Sequence, residues 1–490
     1  MKGIMIQGTA SNVGKSWIAT GLCRTLVNRG MRLAPFKSQN MSNNSYVTVN
    51  GEEMGRAQGI QAEAARVEAT TDMNPILLKP TSDQRSEIII HGVSQDAWSG
   101  LQYRNHWYEK GKLAIQQSVH RLENHYEALI IEGAGSPVEV NLNDRELVNM
   151  SVAELIDVPV ILVADIDRGG VFASIVGTLE LLPDNHRKRV KGLIINKFRG
   201  ERSLFESGVE WLENYTGIPV LGVLPHLEEH GIEGEDSLTV QPTLAKREKS
   251  LDIAVIHWPY LSNETDVTPL TQEQDVSIRY VRSVDQLGSP DALILPGTRS
   301  TIEDYIVCKE KGLTGAIRAY TERGGVVVGI CGGYQILSDV MYRDETDEVG
   351  EKGIGIFPLS TTFVKSKQTI RVSGYTHEAS GYSSVPMSGY EIHLGRTAGS
   401  ITKPFLQLED GPEGISLDQG RLVGTYLHDC FYNDNWRTEW LNRLRRRSEL
   451  PEQPIVYTVN REERYDNLAA HLEAHLNMDK IFEMVEGSGL

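Results

Sequence analysis

Short apolar runs that end in glycine or polar residues recur along this chain of 490 residues. The runs are uniformly apolar, not alternating, which is typical of strands buried on both faces of a parallel sheet. Helix-like stretches separate them, so the series predicts βαβ units. The first series contains IMIQG (from Ile4), RLAPFK (from Arg32), ALIIEG (from Ala128), VPVILVAD (from Val158), VKGLIINK (from Val190) and IPVLGVLP (from Ile218).

A second series follows a polar stretch from His230 to Ser250. It contains LDIAVIHWP (from Leu251), DALILPGT (from Asp291), GGVVVGIC (from Gly324) and RLVGTYLHD (from Arg421). The chain is too long for one ordinary core. We therefore predict an α/β protein with two doubly wound, mostly parallel-sheet domains at 1–230 and 251–440. A linker at 231–250 joins them, and a helical tail follows at 441–490.

Charge and cysteine usage exclude several classes of protein. The formal net charge is −17 and no basic stripe stands out, which argues against a nucleic-acid partner. The four cysteines form no C-x-x-C pair, so neither a disulfide framework nor a structural zinc site is expected. No window is long enough to span a membrane, and MKGIMIQGTA lacks a signal-peptide core. We expect a cytoplasmic protein that acts on small molecules, with its oligomeric state left open.

The run GTASNVGKS, from Gly8 to Ser16, lies between the first predicted strand and a predicted helix. This context is what a phosphate-binding P-loop requires, and it disfavours a glycine-rich turn with an accidental GKS. Loop N–H groups would hold phosphate oxygens, Lys15 would reach the β- and γ-phosphates, and the Ser16 hydroxyl would ligate Mg²⁺. The loop has one residue more than the standard motif. The predicted ATP-binding residues are Thr9, Ser11, Gly14, Lys15, Ser16 and Asn196.

Further polar residues follow the other strands of the first domain. Lys37, Glu132, Asp165 and Asp167 stand where strands end, and Asn196 follows the strand after them. Ligands of open α/β sheets gather at the carboxyl ends of the strands, so we expect these groups to converge. Glu132 suits Mg²⁺, directly or through water, with a turn-capping carboxylate as the alternative. Lys37 is expected to be catalytic, and Asn196 is placed where P-loop folds read the base.

The second domain carries a cysteine at a sharp strand-to-helix turn. Gly329 and Gly333 flank Cys331 at two residues on either side, which is the thiol version of a nucleophile elbow. The helix N-terminus would stabilise a thiolate. The N–H of Gly332 would face an oxyanion, and Gly297, which follows another strand, would supply a second donor.

His428 ends the last strand of the second series and would act as the base for Cys331. A buried structural cysteine is the commonest state of a free thiol, and a hydrogen-bonded histidine is equally ordinary. Cys331 and His428 both lie at predicted strand ends, and glycines surround the thiol. This combination favours a catalytic pair over a structural cysteine and an ordinary hydrogen-bonded histidine.

The stretches GICGGYQIL and GTYLHD resemble a class I glutamine amidotransferase domain, and in particular its cobyrinate-type branch. The resemblance implies a Cys331/His428 dyad. Class I enzymes usually carry Glu two residues after the histidine, where this chain has Cys430, and Asp429 is offset by one. The sequence leaves open what orients the imidazole, which a backbone carbonyl or a water molecule could do. Gly is common in the family at the position of Asp429.

Motifs of the first domain make the resemblance more specific. GTASNVGKS is similar to the dethiobiotin-synthetase-like P-loop, which has the same extra residue. Longer stretches to about residue 435 resemble the cobyric acid synthase family: PFKSQNMSNNSYVT, MGRAQGIQAEAA, NPILLKP, IEGAGSPVEVNL, ADIDRGGVFAS, INKFRG and GYEIHLGRT. The resemblance implies a glutamine-hydrolysing carbon–nitrogen ligase of cobalamin biosynthesis. With ATP, Mg²⁺ and glutamine it would amidate the b, d, e and g carboxylates of adenosylcobyrinic a,c-diamide through acyl phosphates.

Other families share parts of this pattern. Cobyrinic acid a,c-diamide synthase has carboxylates after its second strand, where this chain has Asn40, Asn43 and Asn44. We assign these amides to the corrinoid substrate, because amides can bond carboxylates as well as neutral side arms. Another amidotransferase ligase remains an alternative. A P-loop partition or scaffold ATPase would not need Cys331 and His428.

Overall fold

The structure is a computed structural model that describes residues 1–82, 85–99, 107–141, 145–227, 250–457 and 461–487. The chain divides into two compact units. The first comprises Met1–Thr48, Glu52–Asp236 and Val459–Leu490, and the second comprises Val49–Gly51 and Ser237–Thr458. The predicted linker at 231–250 lies outside the described residues except for Ser250.

The first unit contains strands β1 to β12 and helices on both sides of them. Its strands are β1 Lys2–Gly8, β2 Leu33–Phe36, β3 Gln39–Met41, β4 Ser45–Val47, β5 Glu53–Gly55, β6 Ile76–Ser82, β7 Arg85–Ile90, β8 Val93–Ser99, β9 Ala128–Glu132, β10 Val160–Asp165, β11 Val190–Phe198 and β12 Val220–Pro225. Its helices before the second unit are α1 Lys15–Asn28, α2 Arg56–Ala64, α3 Tyr108–Glu123, α4 Met150–Ile156, α5 Val171–Leu181, α6 Asp184–Arg187 and α7 Glu206–Thr216, with 3₁₀ turns at Thr71–Met73 and Arg202–Phe205.

A six-stranded parallel sheet in the order β2-β9-β1-β10-β11-β12 forms the centre of the first unit. Alternate residues of its strands enter different apolar clusters: Met5 packs in one cluster, and Ile4 and Ile6 pack in the other. Side chains of a strand alternate between faces, so both faces of the sheet are buried. This explains the uniformly apolar runs and confirms the doubly wound prediction. Smaller sheets, β3-β6-β7-β8 and β4-β5, follow the second strand.

The end of the chain does not form a separate tail. Residues after the second unit form α13 Arg461–His475 and α14 Met478–Glu486, which belong to the first unit. Leu472 packs so closely on α1 that a Cβ at Gly21 would lie 2.5 Å from its Cδ1. Buried Arg24 of α1 forms ion pairs with Glu462 and, at 2.7 Å, with Asp466. The apolar side of α13 thus completes one face of the sheet. The stretch predicted as a helical tail at 441–490 is helical in α13 and α14, and these segments belong to the first unit.

We predict that Leu472→Ala destabilises the first unit. The side chain is 0% exposed, and removing a buried leucine side chain leaves a cavity that costs about 3 kcal/mol. Urea denaturation should show this loss in the free energy of unfolding. Leu204→Ala is the matched control, because Leu204 is 79% exposed and its truncation should change stability by less than about 0.5 kcal/mol. An unchanged transition in Leu472→Ala would contradict the packing of α13.

The second unit contains the remaining strands and helices. Its strands are β13 Leu251–Ile256, β14 Val276–Val281, β15 Ala292–Leu295, β16 Val326–Ile330, β17 Ser338–Tyr342, β18 Glu351–Lys352, β19 Phe357–Thr376, β20 Pro386–Gly399, β21 Leu406–Leu408, β22 Gly411–Glu413, β23 Ile415–Leu417 and β24 Leu422–Thr425. Its helices are α8 Val284–Leu287, α9 Thr301–Glu310, α10 Leu313–Glu322, α11 Gly332–Ile336 and α12 Asp434–Arg447, with 3₁₀ segments at Glu264–Gln272, Glu378–Ser380 and Cys430–Tyr432.

A six-stranded sheet in the order β14-β13-β15-β16-β24-β23 forms the core of the second unit. Its pairs are parallel except for β23 with β24. A second sheet is built on the long antiparallel pair β19-β20. This pair was not predicted from the sequence, because β19 alternates between buried and exposed positions and lacks a uniformly apolar run. Among the described residues, no helix is long and apolar enough to cross a bilayer.

Candidate active sites

The loop after β1 has the backbone of a phosphate-binding turn. Gly14 adopts φ 104°, and a Cβ there would lie 2.2 Å from Asn196 Nδ2, so only glycine fits. Asn196 Nδ2 donates to the Val13 carbonyl at 2.8 Å, which makes Asn196 a support of the loop. Its predicted contact with the base stays a prediction. Thr9 is half-buried and Ser11 is exposed in the same loop.

Lys15 lies over this loop with its side chain almost completely buried. Its Nζ is 3.1 Å from the carbonyl oxygens of Ala10 and Gly135. Both acceptors are neutral, and a charged phosphate oxygen makes a stronger hydrogen bond with an ammonium group. The loop therefore holds Lys15 where it can exchange a carbonyl for a phosphate.

Glu132, the last residue of β9, is fully buried and joins three side chains. Its Oε1 accepts from Ser16 Oγ at 2.8 Å and from Lys37 Nζ at 3.0 Å. Its Oε2 accepts from Gln61 Nε2 at 2.6 Å. A buried carboxylate is tolerated because the ion pair and the hydrogen bonds compensate its lost hydration. The structure thus brings Ser16, Lys37 and Glu132 together, as the strand ends predict, and adds Gln61, which the sequence did not reveal.

The Ser16 hydroxyl and the Glu132 carboxylate are oxygen ligands of the kind that Mg²⁺ prefers. Among the described residues, no group of three His, Cys, Asp or Glu side chains could hold a metal ion. A cation at this pair would therefore need phosphate oxygens and water to complete its ligands, which is how Mg²⁺ binds with nucleotides. The donor set fits the predicted cation.

Asp165 and Asp167 also stand at a strand end, but they form ion pairs with residues at the end of β11 and just after it. Asp165 pairs with Lys197 at 2.8 Å and Asp167 pairs with Arg199 at 3.0 Å. Among these strand-end residues, the ones that meet at Ser16 are therefore Glu132, which bonds it, and Lys37, which bonds Glu132.

The amides assigned to the corrinoid lie at and after β3. Asn40 and Asn44 are buried and Asn43 is half-buried. Asn40 Nδ2 donates to Gln58 Oε1 of α2 at 2.8 Å, while the side-chain oxygens of Asn40 and Asn43 have no hydrogen-bond partner among the described residues. A buried unpaired acceptor is costly, so these oxygens mark a place where a donor from a ligand would be stabilising.

In the second unit Cys331 sits at the predicted elbow between β16 and α11. Its φ is 51°, a strained value for a residue with a side chain, and strain of this kind clusters at active sites. The flanking glycines are required by crowding: a Cβ at Gly333 would lie 1.9 Å from the Leu295 carbonyl oxygen, and one at Gly329 would lie 2.6 Å from Leu337 Cδ1. The backbone N–H of Cys331 donates to the Thr425 carbonyl at 2.8 Å.

The environment of Cys331 differs from that of the other cysteines. Burial raises the pKa of Cys308 to about 11 and also raises the pKa values of Cys23 and Cys430, which keeps these thiols protonated. Cys331 instead lies 3.5 Å from the Ile392 carbonyl oxygen, and its sulfur helps to raise the pKa of the His428 imidazole. It is therefore the cysteine with an imidazole partner.

His428 has a carboxylate partner that the sequence did not reveal. Asp266, in the 3₁₀ segment Glu264–Gln272, places Oδ2 2.7 Å from His428 Nδ1, and both side chains are 0% exposed. Its Oδ1 accepts from the Asp429 N–H at 2.8 Å. Asp266 fills the role that the sequence left open, in place of a backbone carbonyl or a water molecule. Asp266 lies 162 residues before His428, so no local spacing links the two.

The surroundings of His428 favour its charged form. Burial lowers the pKa of His428, but the Asp266 carboxylate and the Cys331 sulfur together raise it to about 10. The Tyr390 ring stacks on the imidazole with centroids 5.1 Å apart. Asp429 adopts φ 63°, a backbone conformation that glycine adopts without strain.

The two glycines predicted to face an oxyanion lie beside Cys331 and His428. A Cβ at Gly297 would lie 3.2 Å from His428 Cε1, and one at Gly332 would lie 2.6 Å from Thr298 Cγ2. Gly332 begins α11, where backbone N–H groups have no acceptor within the helix. Their role as oxyanion donors stays a prediction.

We predict that Asp266→Asn lowers the rate of glutamine hydrolysis by roughly 10²- to 10⁴-fold, the range for losing the carboxylate of a triad. Without the negative charge the pKa of His428 falls from about 10, so the imidazolium is lost at lower pH. The alkaline limb of the pH–rate profile should therefore move to lower pH. Asp285→Asn, which changes an exposed aspartate of α8, is the control. An unchanged alkaline limb in Asp266→Asn would contradict this role.

The comparisons with known proteins agree with the two units. Residues 4–239 match the family described as "CobQ/CobB/MinD/ParA nucleotide binding domain", and residues 252–436 match the "CobB/CobQ-like glutamine amidotransferase domain". A "Cobyric acid synthase" of Geobacillus thermodenitrificans is 47% identical over 98% of this chain and 98% of the relative. Those of Desulforamulus reducens and Listeria innocua are 45% and 43% identical over 99% of this chain and 98% and 96% of the relatives. The chain belongs to the cobyric acid synthase family.

Proposed function

We propose that the second unit hydrolyses glutamine and that the first unit uses ATP and the released ammonia to amidate a corrinoid. The substrate would be adenosylcobyrinic a,c-diamide, amidated at its b, d, e and g carboxylates. The observation that carries this proposal is that one chain combines a Cys331–His428–Asp266 set with a P-loop beside a buried carboxylate. ATP and unoxidised thiols are both available in the cytoplasm, where we expect the reaction to run.

In the second unit the Cys331 thiol gives its proton to His428, its sulfur attacks the side-chain amide carbon of glutamine, and an electron pair moves onto the amide oxygen. The N–H groups of Gly332 and Gly297 face this oxyanion. On its collapse the C–N bond breaks, and the His428 imidazolium gives its proton to the leaving nitrogen, which departs as ammonia. His428 then takes a proton from water, whose attack on the thioester breaks the C–S bond and releases glutamate. His428 returns this proton to the Cys331 sulfur. Asp266 stabilises the imidazolium.

In the first unit a substrate carboxylate attacks the γ-phosphorus of ATP and forms an acyl phosphate, with ADP as the leaving group. Phosphate is a far better leaving group than oxide, so ammonia can then displace it and form the amide. Lys15 and Lys37 neutralise charge on the transferring phosphoryl group. Ser16 and Glu132 would hold Mg²⁺, which would supply further positive charge to the phosphates.

The corrinoid would contact Asn40, Asn43 and Asn44. Their amides offer donors to a carboxylate arm and acceptors to an arm that is already amidated. Support comes from the unpaired side-chain oxygens of Asn40 and Asn43. If these amides select the arm, Asn43→Asp should change the amidation pattern, and an unchanged pattern would count against their role.

The two alternatives are less well supported. A partition or scaffold ATPase has no use for a buried thiol–imidazole–carboxylate set. Cobyrinic acid a,c-diamide synthase or another amidotransferase ligase would share both units, but relatives with 42–47% identity over nearly the whole chain carry the name cobyric acid synthase.

The proposal is tested by incubating the protein with ATP, Mg²⁺, glutamine and adenosylcobyrinic a,c-diamide, and by following the corrinoid mass. We expect four successive products, each with one carboxylate converted to an amide. Corrinoid that stays unchanged while another acceptor is amidated would contradict the substrate assignment. Parallel reactions with cobyrinic acid distinguish the a,c-diamide synthase alternative.

A further inference from the structure

Gln61 of α2 is a completely buried glutamine that contacts both parts of the Ser16–Glu132 pair. Its Nε2 donates to Glu132 Oε2 at 2.6 Å and lies 3.4 Å from the Ser16 carbonyl oxygen. The side chain therefore ties α2 to the end of β9 and to the first turn of α1. It is 71 residues from Glu132 in the sequence.

The chemistry of its neighbour decides which way the Gln61 amide points. Glu132 forms an ion pair with Lys37, and an ionised carboxylate can only accept hydrogen bonds. The amide NH₂ must therefore face Glu132, and the amide oxygen Oε1 must face away from it. Among the described residues, this buried Oε1 has no hydrogen-bond partner. An unpaired buried acceptor costs about 1–3 kcal/mol, and this one belongs to the residue that bonds the Ser16–Glu132 pair, so a donor from a ligand at the P-loop would be stabilising.

Comparison with Gln58 shows that the two glutamines of α2 leave opposite kinds of hydrogen-bonding atom unpaired. The two glutamines are three residues apart on α2, so they share a face of the helix. Gln58 Oε1 accepts from Asn40 Nδ2 at 2.8 Å, which leaves its Nε2, a donor, without a partner among the described residues. Gln61 leaves an acceptor. The end of this face nearest the P-loop therefore suits a hydrogen-bond donor, and the end nearest Asn40 suits an acceptor such as a carboxylate.

We propose that Gln61 is a positioning residue of the ATP site: Nε2 orients Glu132, and Oε1 accepts a hydrogen bond from a water molecule in the hydration shell of nucleotide-bound Mg²⁺. This inference rests on the proposed function of the P-loop. Mg²⁺ dehydrates reluctantly and usually keeps several waters when it binds with phosphates. Those waters are strong donors, and groups that hold metal ligands from outside typically change metal affinity by about 10- to 100-fold.

The experiment measures cation binding instead of turnover. Mn²⁺ replaces Mg²⁺, and its binding to the full chain in the presence of ADP is followed by electron paramagnetic resonance. We expect Gln61→Leu to weaken Mn²⁺ binding by about tenfold or more, with ADP affinity in EDTA unchanged. Gln61→Glu adds a second carboxylate of the same size and should bind Mn²⁺ more tightly than the unaltered protein. This variant decides the question if Gln61→Leu does not fold.

Gln7→Leu is the matched control. Gln7 is also fully buried with an unpaired Oε1 among the described residues, but its Nε2 contacts the sulfurs of Met5 and Met150. Gln7→Leu should therefore leave Mn²⁺ affinity unchanged. Unaltered Mn²⁺ affinity in Gln61→Leu, a parallel loss of ADP affinity in EDTA, or no gain in Gln61→Glu would overturn the proposal. Absence of any ADP-dependent Mn²⁺ binding in the unaltered protein would overturn the P-loop assignment itself.

Discussion

Cys331→Ala should abolish glutamine-dependent amidation and leave ammonia-dependent amidation unchanged. Without the sulfur no thioester can form, and removing the nucleophile of such a set lowers the rate by roughly 10⁴-fold or more. Externally added ammonia bypasses this step, because the acyl phosphate is made in the first unit from ATP. The measurement compares amide formation from glutamine with amide formation from an ammonium salt at alkaline pH.

Cys308→Ala is the control for Cys331→Ala. Cys308 is a buried cysteine of α9 in the same unit, and its thiol stays protonated because burial raises its pKa to about 11. This variant should retain both activities. Glutamine-dependent amidation that survives in Cys331→Ala would mean that the strained turn at Cys331 is structural. Loss of both activities would mean that the substitution disturbs more than the glutaminase.

Lys15→Met should impair amidation with both nitrogen sources and leave the glutaminase intact. Removing a group that neutralises charge on the transferring phosphoryl typically costs about 10²- to 10³-fold, so amidation should fall to this extent with glutamine and with ammonia alike. The reaction of Cys331 with an electrophilic glutamine analogue should be unchanged. Amidation is measured by corrinoid mass, and thiol labelling by the mass of the protein.

Lys2→Met provides the control for Lys15→Met, because Lys2 is an exposed lysine of β1 and should be dispensable. Full ammonia-dependent activity in Lys15→Met would contradict the assignment of the loop. Together with Cys331→Ala, the pair of variants separates the two half-reactions. One variant should lose the use of glutamine, and the other should lose the use of ATP.

The parallel sheets of the fold could be predicted because a strand buried on both faces is apolar at every position. Each predicted run of both series coincides with a strand of the two parallel sheets. The antiparallel pair β19-β20 escaped prediction, because each strand has a half-exposed face and therefore a weaker pattern. The role of α13 also escaped, because nothing in a helical stretch near the end of a chain indicates which sheet it covers.

The sequence by itself determined the groups whose chemistry depends on local backbone: the P-loop with Lys15 and Ser16, the glycine-flanked Cys331, and His428 after its strand. Turns of this kind need particular residues at fixed spacing, so they leave a readable pattern. Only the tertiary structure decided which partners orient them. Asp266 reaches His428 from 162 residues away, and Gln61 reaches Glu132 from 71 residues away. A hydrogen bond between distant segments requires only that the fold bring two atoms together, so it leaves no spacing in the sequence to read.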